Sequence, residues 1–326
     1  MTISSKTTMN FGDKPKIVFV GSGPVAAASL ELLMQSFSIE AVVTKPKPAH
    51  HKGNFPVVDI AERANLPLVY VSDKKEVSVR VGAAGFTSQV AVLIDFGIIV
   101  AQDVIDAFPL GIINSHFSLL PELRGADPIT FAILSGQERT GVSLMRLVAA
   151  MDEGPILAVG VQDLDDKVTT PLLTEKLVQL SYGLLKRELP RYLNGAELVE
   201  QSALPNIITD FAYPAAPTYT RKLTKTDGVL DFSKPAVQLE REVRAFADWP
   251  KSRTTIAGVD CIITSADAKM NPQSQTAKRA TGECFVQDKQ LCIQTANGVF
   301  VVKSLKPAGK PDMSAQAFLA GYGQNL

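Results

Sequence analysis

The chain reads as an α/β protein: a mostly parallel sheet covered by helices on both faces, followed by a smaller domain of short antiparallel strands. Three observations predict it. Continuous apolar runs alternate with helix-like stretches through the first part of the sequence, the pattern of strands buried on both faces. A proline-containing stretch at residues 203–220 has no clear period and reads as a linker. Beyond it the hydrophobic pattern shortens and alternates, as in a small β domain. A chain of 326 residues, 46% of them hydrophobic, has material for two such cores.

Taken in order, residues 1–14 are polar and expected to be disordered, residues 15–202 form the first domain, and residues 221–326 the second. In the first domain, apolar runs at residues 16–20, 39–43, 90–94 and 111–114 predict strands. Residues 25–35 and 57–64 predict the helices between them. Residues 140–147 and 155–161 add strands, and residues 172–194 predict a long helix ended by Gly195. After the linker, residues 237–247 predict an amphipathic helix. Asn297-Gly298 is a hairpin signal, and Gln287-Asp288-Lys289 predicts a tight turn.

Composition excludes several classes. Formal net charge is zero, so the whole chain does not announce a polyanionic partner. The charge is unevenly placed: from Pro217 onward there are 15 Lys and Arg against 10 Asp and Glu, a balance of +5, leaving 18 against 23, or −5, before it. A modestly basic C-terminal part suits an RNA-contacting accessory domain. Cys261, Cys284 and Cys292 are odd in number and form no Cys-x-x-Cys pair, which fits reduced core thiols in a cytosolic protein and suggests no metal site. No run approaches the roughly 18 uninterrupted apolar residues of a membrane span.

Two motifs invite opposite readings. Gly21-Ser22-Gly23-Pro24-Val25-Ala26 follows the first strand and matches a Gly-x-Gly-x-x-Ala dinucleotide fingerprint. The acidic ribose partner expected about 20 residues on is missing, because the second strand ends in Thr44-Lys45; the motif therefore reads as a tight strand-to-helix turn in a Rossmann-like sheet. Lys45, Lys47 and Lys52 give the next loop a basic character suited to phosphate contacts.

The chemistry concentrates elsewhere. Asn114 and His116 are two apart, so on a strand they share a face, and Asp152 follows in Met151-Asp152-Glu153-Gly154. An acyl carbon attacked by an amine passes through an oxyanion that needs hydrogen-bond donors, which an Asn amide and a protonated His supply. The amine must also lose a proton, a task for a carboxylate beside a His. Asn114, His116 and Asp152 are thus the candidate catalytic residues.

Read together with its neighbours, this region resembles the folate-dependent formyltransferases, in particular those that act on methionyl-tRNA. Their signature is an Asn-x-His-x-Ser-Leu-Leu-Pro segment followed by Arg-Gly-Ala-x-Pro. Here it stands as Asn114, His116, Ser118-Leu119-Leu120-Pro121 and Arg124-Gly125-Ala126-Asp127-Pro128. The likeness continues through Thr140-Gly141-Val142-Ser143-Leu144-Met145, Leu230-Asp231-Phe232, Trp249-Pro250 and Leu305-Lys306-Pro307-Ala308-Gly309-Lys310. Glu122-Leu123 stands where such proteins usually carry Arg-Trp, and Asp-Glu-Gly where they usually have Asp-Thr-Gly.

The resemblance implies a formyltransferase domain followed by an OB-like barrel, with Asn114, His116 and Asp152 as the catalytic trio. It implies that Ser118, Leu119, Leu120 and Pro121 line the site for the formyl-carrying folate, and that Lys45, Lys47 and Lys52 lie in a tRNA-facing loop. The activity implied is transfer of the formyl group of 10-formyltetrahydrofolate to initiator methionyl-tRNA by a monomeric cytoplasmic enzyme that needs no metal. Rival readings are a formyltransferase acting on an amino sugar nucleotide or other small amine, an NAD(P)-dependent dehydrogenase built on Gly21 and Gly23, and an idle RNA-binding protein.

Overall fold

The computed structural model describes residues 14–47, 55–270 and 279–326; the expectations for residues 1–13 and for Lys52 lie outside them. Contacts divide the chain into two compact units, one holding residues up to 122 with 141–161 and 177–217, the other residues 123–140, 162–176 and 218–326.

The first part of the chain runs β1 (Lys16–Val20), α1 (Pro24–Ser36), β2 (Ser38–Thr44), α2 (Pro56–Arg63), β3 (Leu68–Tyr70), α3 (Lys74–Ala83), β4 (Ala91–Leu93), α4 (Gln102–Asp106) and β5 (Ile112–His116). It continues with the short β6 (Arg124–Gly125), α5 (Pro128–Leu134), β7 (Arg139–Arg146), β8 (Ile156–Asp163), α6 (Thr170–Leu193) and α7 (Leu204–Ile207). The main sheet has seven strands in the order β3-β2-β1-β4-β5-β7-β8. Pairing is parallel from β3 to β5 and antiparallel between β5 and β7, so the sheet is mostly parallel, as the continuous apolar runs predict.

Since β1 pairs β2 on one side and β4 on the other, the winding direction reverses there, and the carboxyl ends of β1, β4 and β5 lie along one edge of the sheet. That edge is where open α/β sheets place their ligands. Apolar packing supports it: Val18, Val20, Val43, Leu93, Phe96 and Ile112 share a buried cluster, each large apolar side chain stabilising the fold by roughly 1.5–3 kcal/mol.

Among the elements without a clear signal in the sequence pattern are β3, α3 and α4. β3 has only three residues, and α4 only five. Helix α3 buries just Val77 and Val81, and its start is set by a local device: Asp73 accepts from the Glu76 amide at 2.9 Å while the Glu76 carboxylate accepts from the Ser72 amide at 2.8 Å.

The second unit contains β9 (Tyr219–Thr220), which pairs with β6, then α8 (Ala236–Ala245), β10 (Ser252–Ile256), β11 (Val259–Lys269), β12 (Cys284–Gln287), β13 (Gln290–Gln294), β14 (Val299–Pro307), β15 (Met313–Ser314) and α9 (Ala315–Tyr322). Its sheet is antiparallel in the order β10-β11-β14-β13-β12, with β15 on β14. Leu239 and Val243 of α8 and Phe318 of α9 complete a core with Ile263, Leu291 and Phe300. Asp288 and Lys289, both at positive φ (51° and 61°), make the tight turn predicted between β12 and β13. The Asn-Gly signal marks a longer loop of four residues between Gln294 and Val299, because Asn297 O and the Ala296 amide bond back to Ala236 N and Phe232 O.

One half-buried charge ties β2 to the entry of β4. The Glu40 carboxylate accepts from both the amide and hydroxyl of Thr87 and from both of Ser88, at 2.5–2.8 Å. Burial alone would raise its pKa; the bonds from Ser88 and Thr87 outweigh it and hold the group at about 2, against an ordinary value of 4.5. A depressed carboxyl pKa stabilises the fold fully above the unfolded value and loses that contribution as pH falls through the folded one. Glu40→Gln should therefore lower the melting temperature at neutral pH, and the gap from wild type should close as pH falls from 4.5 towards 2, measured by thermal melts across pH.

Candidate active site

Strand β5 is buried along its whole length, with neighbours on both sides: Leu93 of β4 pairs Asn114, and on β7 Met145 pairs Asn114 and Ser143 pairs His116. Pairing with β7 carries the strand two residues past the predicted end, so His116 belongs to it. The alternation then places both side chains on one face at the carboxyl edge, where Asn114 is 7% and His116 6% exposed.

Asp152 arrives from the loop joining β7 to β8. Its backbone is left-handed, φ 52°, which a short polar side chain tolerates better than a bulky one. The loop closes tightly because the Arg146 amide bonds Pro155 O at 2.9 Å and Gly154 lies against the Arg146 carbonyl, where a Cβ would fall 1.8 Å from the oxygen. The Asp152 carboxylate thereby sits between the two strand residues, Oδ1 at 3.5 Å from Asn114 Nδ2 and Oδ2 at 3.8 Å from His116 Nδ1.

The Ser118–Pro121 turn is built inward. Ser118 Oγ donates to Glu122 O at 2.6 Å, Ser143 Oγ donates to Ser118 O and accepts from the Leu120 amide, and Tyr213 donates to Leu120 O at 2.8 Å. Leu119 and Leu120 belong to a core with Met145, Ile156, Leu204 and Tyr213, and burial pushes the Tyr213 hydroxyl pKa upward. The Ser118 hydroxyl and the two leucine side chains therefore serve the turn. Ser143 and Tyr213, which hold it, carry no signal of that task in the sequence beyond lying in an apolar run and a proline-containing stretch.

At the β1 turn the fingerprint glycines face protein. The amides of Ser22 and Gly23 bond Asp95 O at 3.0 and 3.2 Å, Ser22 Oγ donates to Phe96 O, and a Cβ on Gly23 would fall 1.7 Å from Asp95 Oδ2. A carboxylate thus lies against the start of α1, where a dinucleotide pyrophosphate would have to sit. Nearby, Lys45 Nζ donates to Gly97 O at 3.3 Å, and Lys47 Nζ lies 5.9 Å over the Phe55 ring. Asp95 has no signal in the sequence; it is one acid after an apolar run.

A family model described as formyl transferase matches residues 15–189, and one described as formyl transferase, C-terminal domain, matches residues 222–323. The chain belongs to the formyl transferase family. Among its similar curated relatives are the methionyl-tRNA formyltransferases of Chloroflexus aggregans and Nitrosococcus oceani. The first is 34% identical over 317 residues, covering 94% of this chain and 97% of that protein. The second is 34% identical over 314 residues, covering 94% and 93%. Of solved structures, the N-formyltransferase of Helicobacter canadensis with folinic acid and dTDP-3-aminofucose gives a TM-score of 0.64 at 15% identity, covering 88% of this chain and 98% of that one. HypX from Aquifex aeolicus gives 0.61 at 12% identity, covering 96% and 48%. These structural likenesses concern the fold.

Because Gly23 is kept small by Asp95, Gly23→Ala should destabilise the protein by about 1–3 kcal/mol, the usual cost of overpacking. Adding Asp95→Ala should recover part of that loss, a coupling measured by denaturant melts of the two single variants and the double variant.

Proposed function

We propose that this chain transfers the formyl group of 10-formyltetrahydrofolate to the amino group of methionine carried by initiator tRNA. The observation that carries the reading is the meeting of Asn114, His116 and Asp152 at one buried edge, in a chain whose curated relatives, similar over nearly their full length, are methionyl-tRNA formyltransferases. In this reading the amine nitrogen attacks the formyl carbon, whose oxygen takes up the electron pair. Asn114, with His116, donates hydrogen bonds to that oxyanion. His116 and Asp152 accept the amine proton and return it to the folate nitrogen as the carbon–nitrogen bond to tetrahydrofolate breaks.

The folate is a consumed co-substrate, and the Ser118–Pro121 turn borders its site through its backbone, the side chains of Ser118, Leu119 and Leu120 being buried. Lys45 and Lys47 follow β2 on the same carboxyl edge and are proposed to face tRNA phosphates. Residues 15–202 are read as the catalytic domain and residues 221–326, with their excess of Lys and Arg, as the accessory that favours tRNA over a small amine. The enzyme is read as cytoplasmic.

Purified protein given formyl-folate and methionyl-tRNA should yield formyl-methionine, and Asp152→Asn should lower turnover by roughly two to four orders of magnitude with its melting curve preserved. Near-normal turnover in that variant would remove Asp152 from the chemistry. Tetrahydrofolate derivatives should raise the melting temperature by binding the native state, and NAD or NADP should leave it in place. Stabilisation by the nicotinamide alone would overturn the reading in favour of a dehydrogenase.

A further inference from the structure

We infer that Gln201 is a positioning residue for Asp152, a role that rests on the proposed part of Asp152 in proton transfer. Gln201 is 5% exposed, and its Nε2 donates to two carbonyls of the loop that carries Asp152: Asp152 O at 2.8 Å and Gly154 O at 3.0 Å. Both partners are carbonyl oxygens, which accept and cannot donate, so the orientation of the amide is set by chemistry. A side chain whose two amide hydrogens both go to one loop holds that loop in place. An apolar residue would pack as well and leave two carbonyls without this donor.

The clamp is anchored where it acts. Two residues upstream, Val199 exchanges both backbone hydrogen bonds with Ile156, at 2.7 and 2.8 Å, and Ile156 is the first residue of β8, immediately after the clamped loop. Three residues downstream, Leu204 is buried beside Ile156 in the core beneath the Ser118–Pro121 turn. Gln201 is therefore held from both sides against the strand that follows Asp152.

The consequence lies in the left-handed conformation of Asp152. Its carbonyl and that of Gly154 must both turn toward the Gln201 amide, which fixes the peptide planes that follow Asp152 and Gly154. Releasing them lets the Asp152 backbone relax towards ordinary φ and carries the carboxylate away from Asn114 Nδ2 and His116 Nδ1. Gln201 touches neither reacting group in this account; it acts by holding the carboxylate in register.

The test compares full-length Gln201→Met, Gln201→Glu and Asp152→Asn in the formyl-methionine assay, with melting curves for each. Gln201→Met keeps shape and removes the donor. Gln201→Glu keeps shape and offers a donor only when protonated. Both are expected to lower kcat roughly 10- to 100-fold, the size of effect seen when an outer partner that orients a functional group is lost, with KM for folate and tRNA within about twofold. The pH profile of kcat should move, and the Gln201→Glu defect should shrink towards acid pH while the Gln201→Met defect does not. If Asp152→Asn loses turnover but both Gln201 variants keep wild-type kcat and pH profile, the inference is wrong and the reading of Asp152 stands. A lower melting temperature with an unmoved pH profile would likewise reduce Gln201 to a structural role and overturn it. If Asp152→Asn turns over normally, the underlying reading is what has failed.

Discussion

The loop between β7 and β8 carries the constraint on which the candidate site depends: it must bring a carboxylate back to β5 while satisfying the backbone carbonyls of its inner end, where Gly154 and Pro155 are buried. Buried carbonyls without donors are costly, so such a loop exists only where donors can be built around it. The Arg146 amide closes its base on Pro155 O, Gly154 allows the Arg146 carbonyl to come close, and Gln201 reaches in from a segment 49 residues after Asp152. The left-handed Asp152 is the outcome of those contacts.

The Ser118–Pro121 turn, proposed to border the folate, is made rigid by the same logic applied to hydroxyls. Ser118, Ser143 and Tyr213 are all buried, and each donates a hydrogen bond to the backbone of residues 118–122. Their bonds and the packing of Leu119 and Leu120 leave the turn little freedom, as a site that places reacting groups within fractions of an ångström requires. The cost of burying three hydroxyls is offset by satisfying them.

The β1 turn shows how one fold can be barred from one chemistry and left open to another. A glycine-rich strand-to-helix turn in a parallel sheet is the shape of a dinucleotide cradle, and here Asp95 fills it from the neighbouring strand end. An anion brought to the start of α1 would meet a carboxylate.

Much of this was legible in the residues themselves. The parallel sheet followed from unbroken apolar runs, the Asp288-Lys289 turn from its residue types, and the pairing of Asn114 with His116 from their spacing of two, because alternation along a strand is a local property. The bounds of α6, Thr170–Leu193, lie within two residues of the predicted helix for the same local reason. What tertiary structure alone decided were contacts between residues far apart in the chain. That β5 runs on to His116 is set by β7, that Gly23 faces Asp95 is set by the order of strands, and that Gln201 clamps the Asp152 loop is set by the bridge of Val199 to Ile156. A glutamine just before a stretch without period has no local signature. Its meaning comes from the two carbonyls that the fold delivers to it.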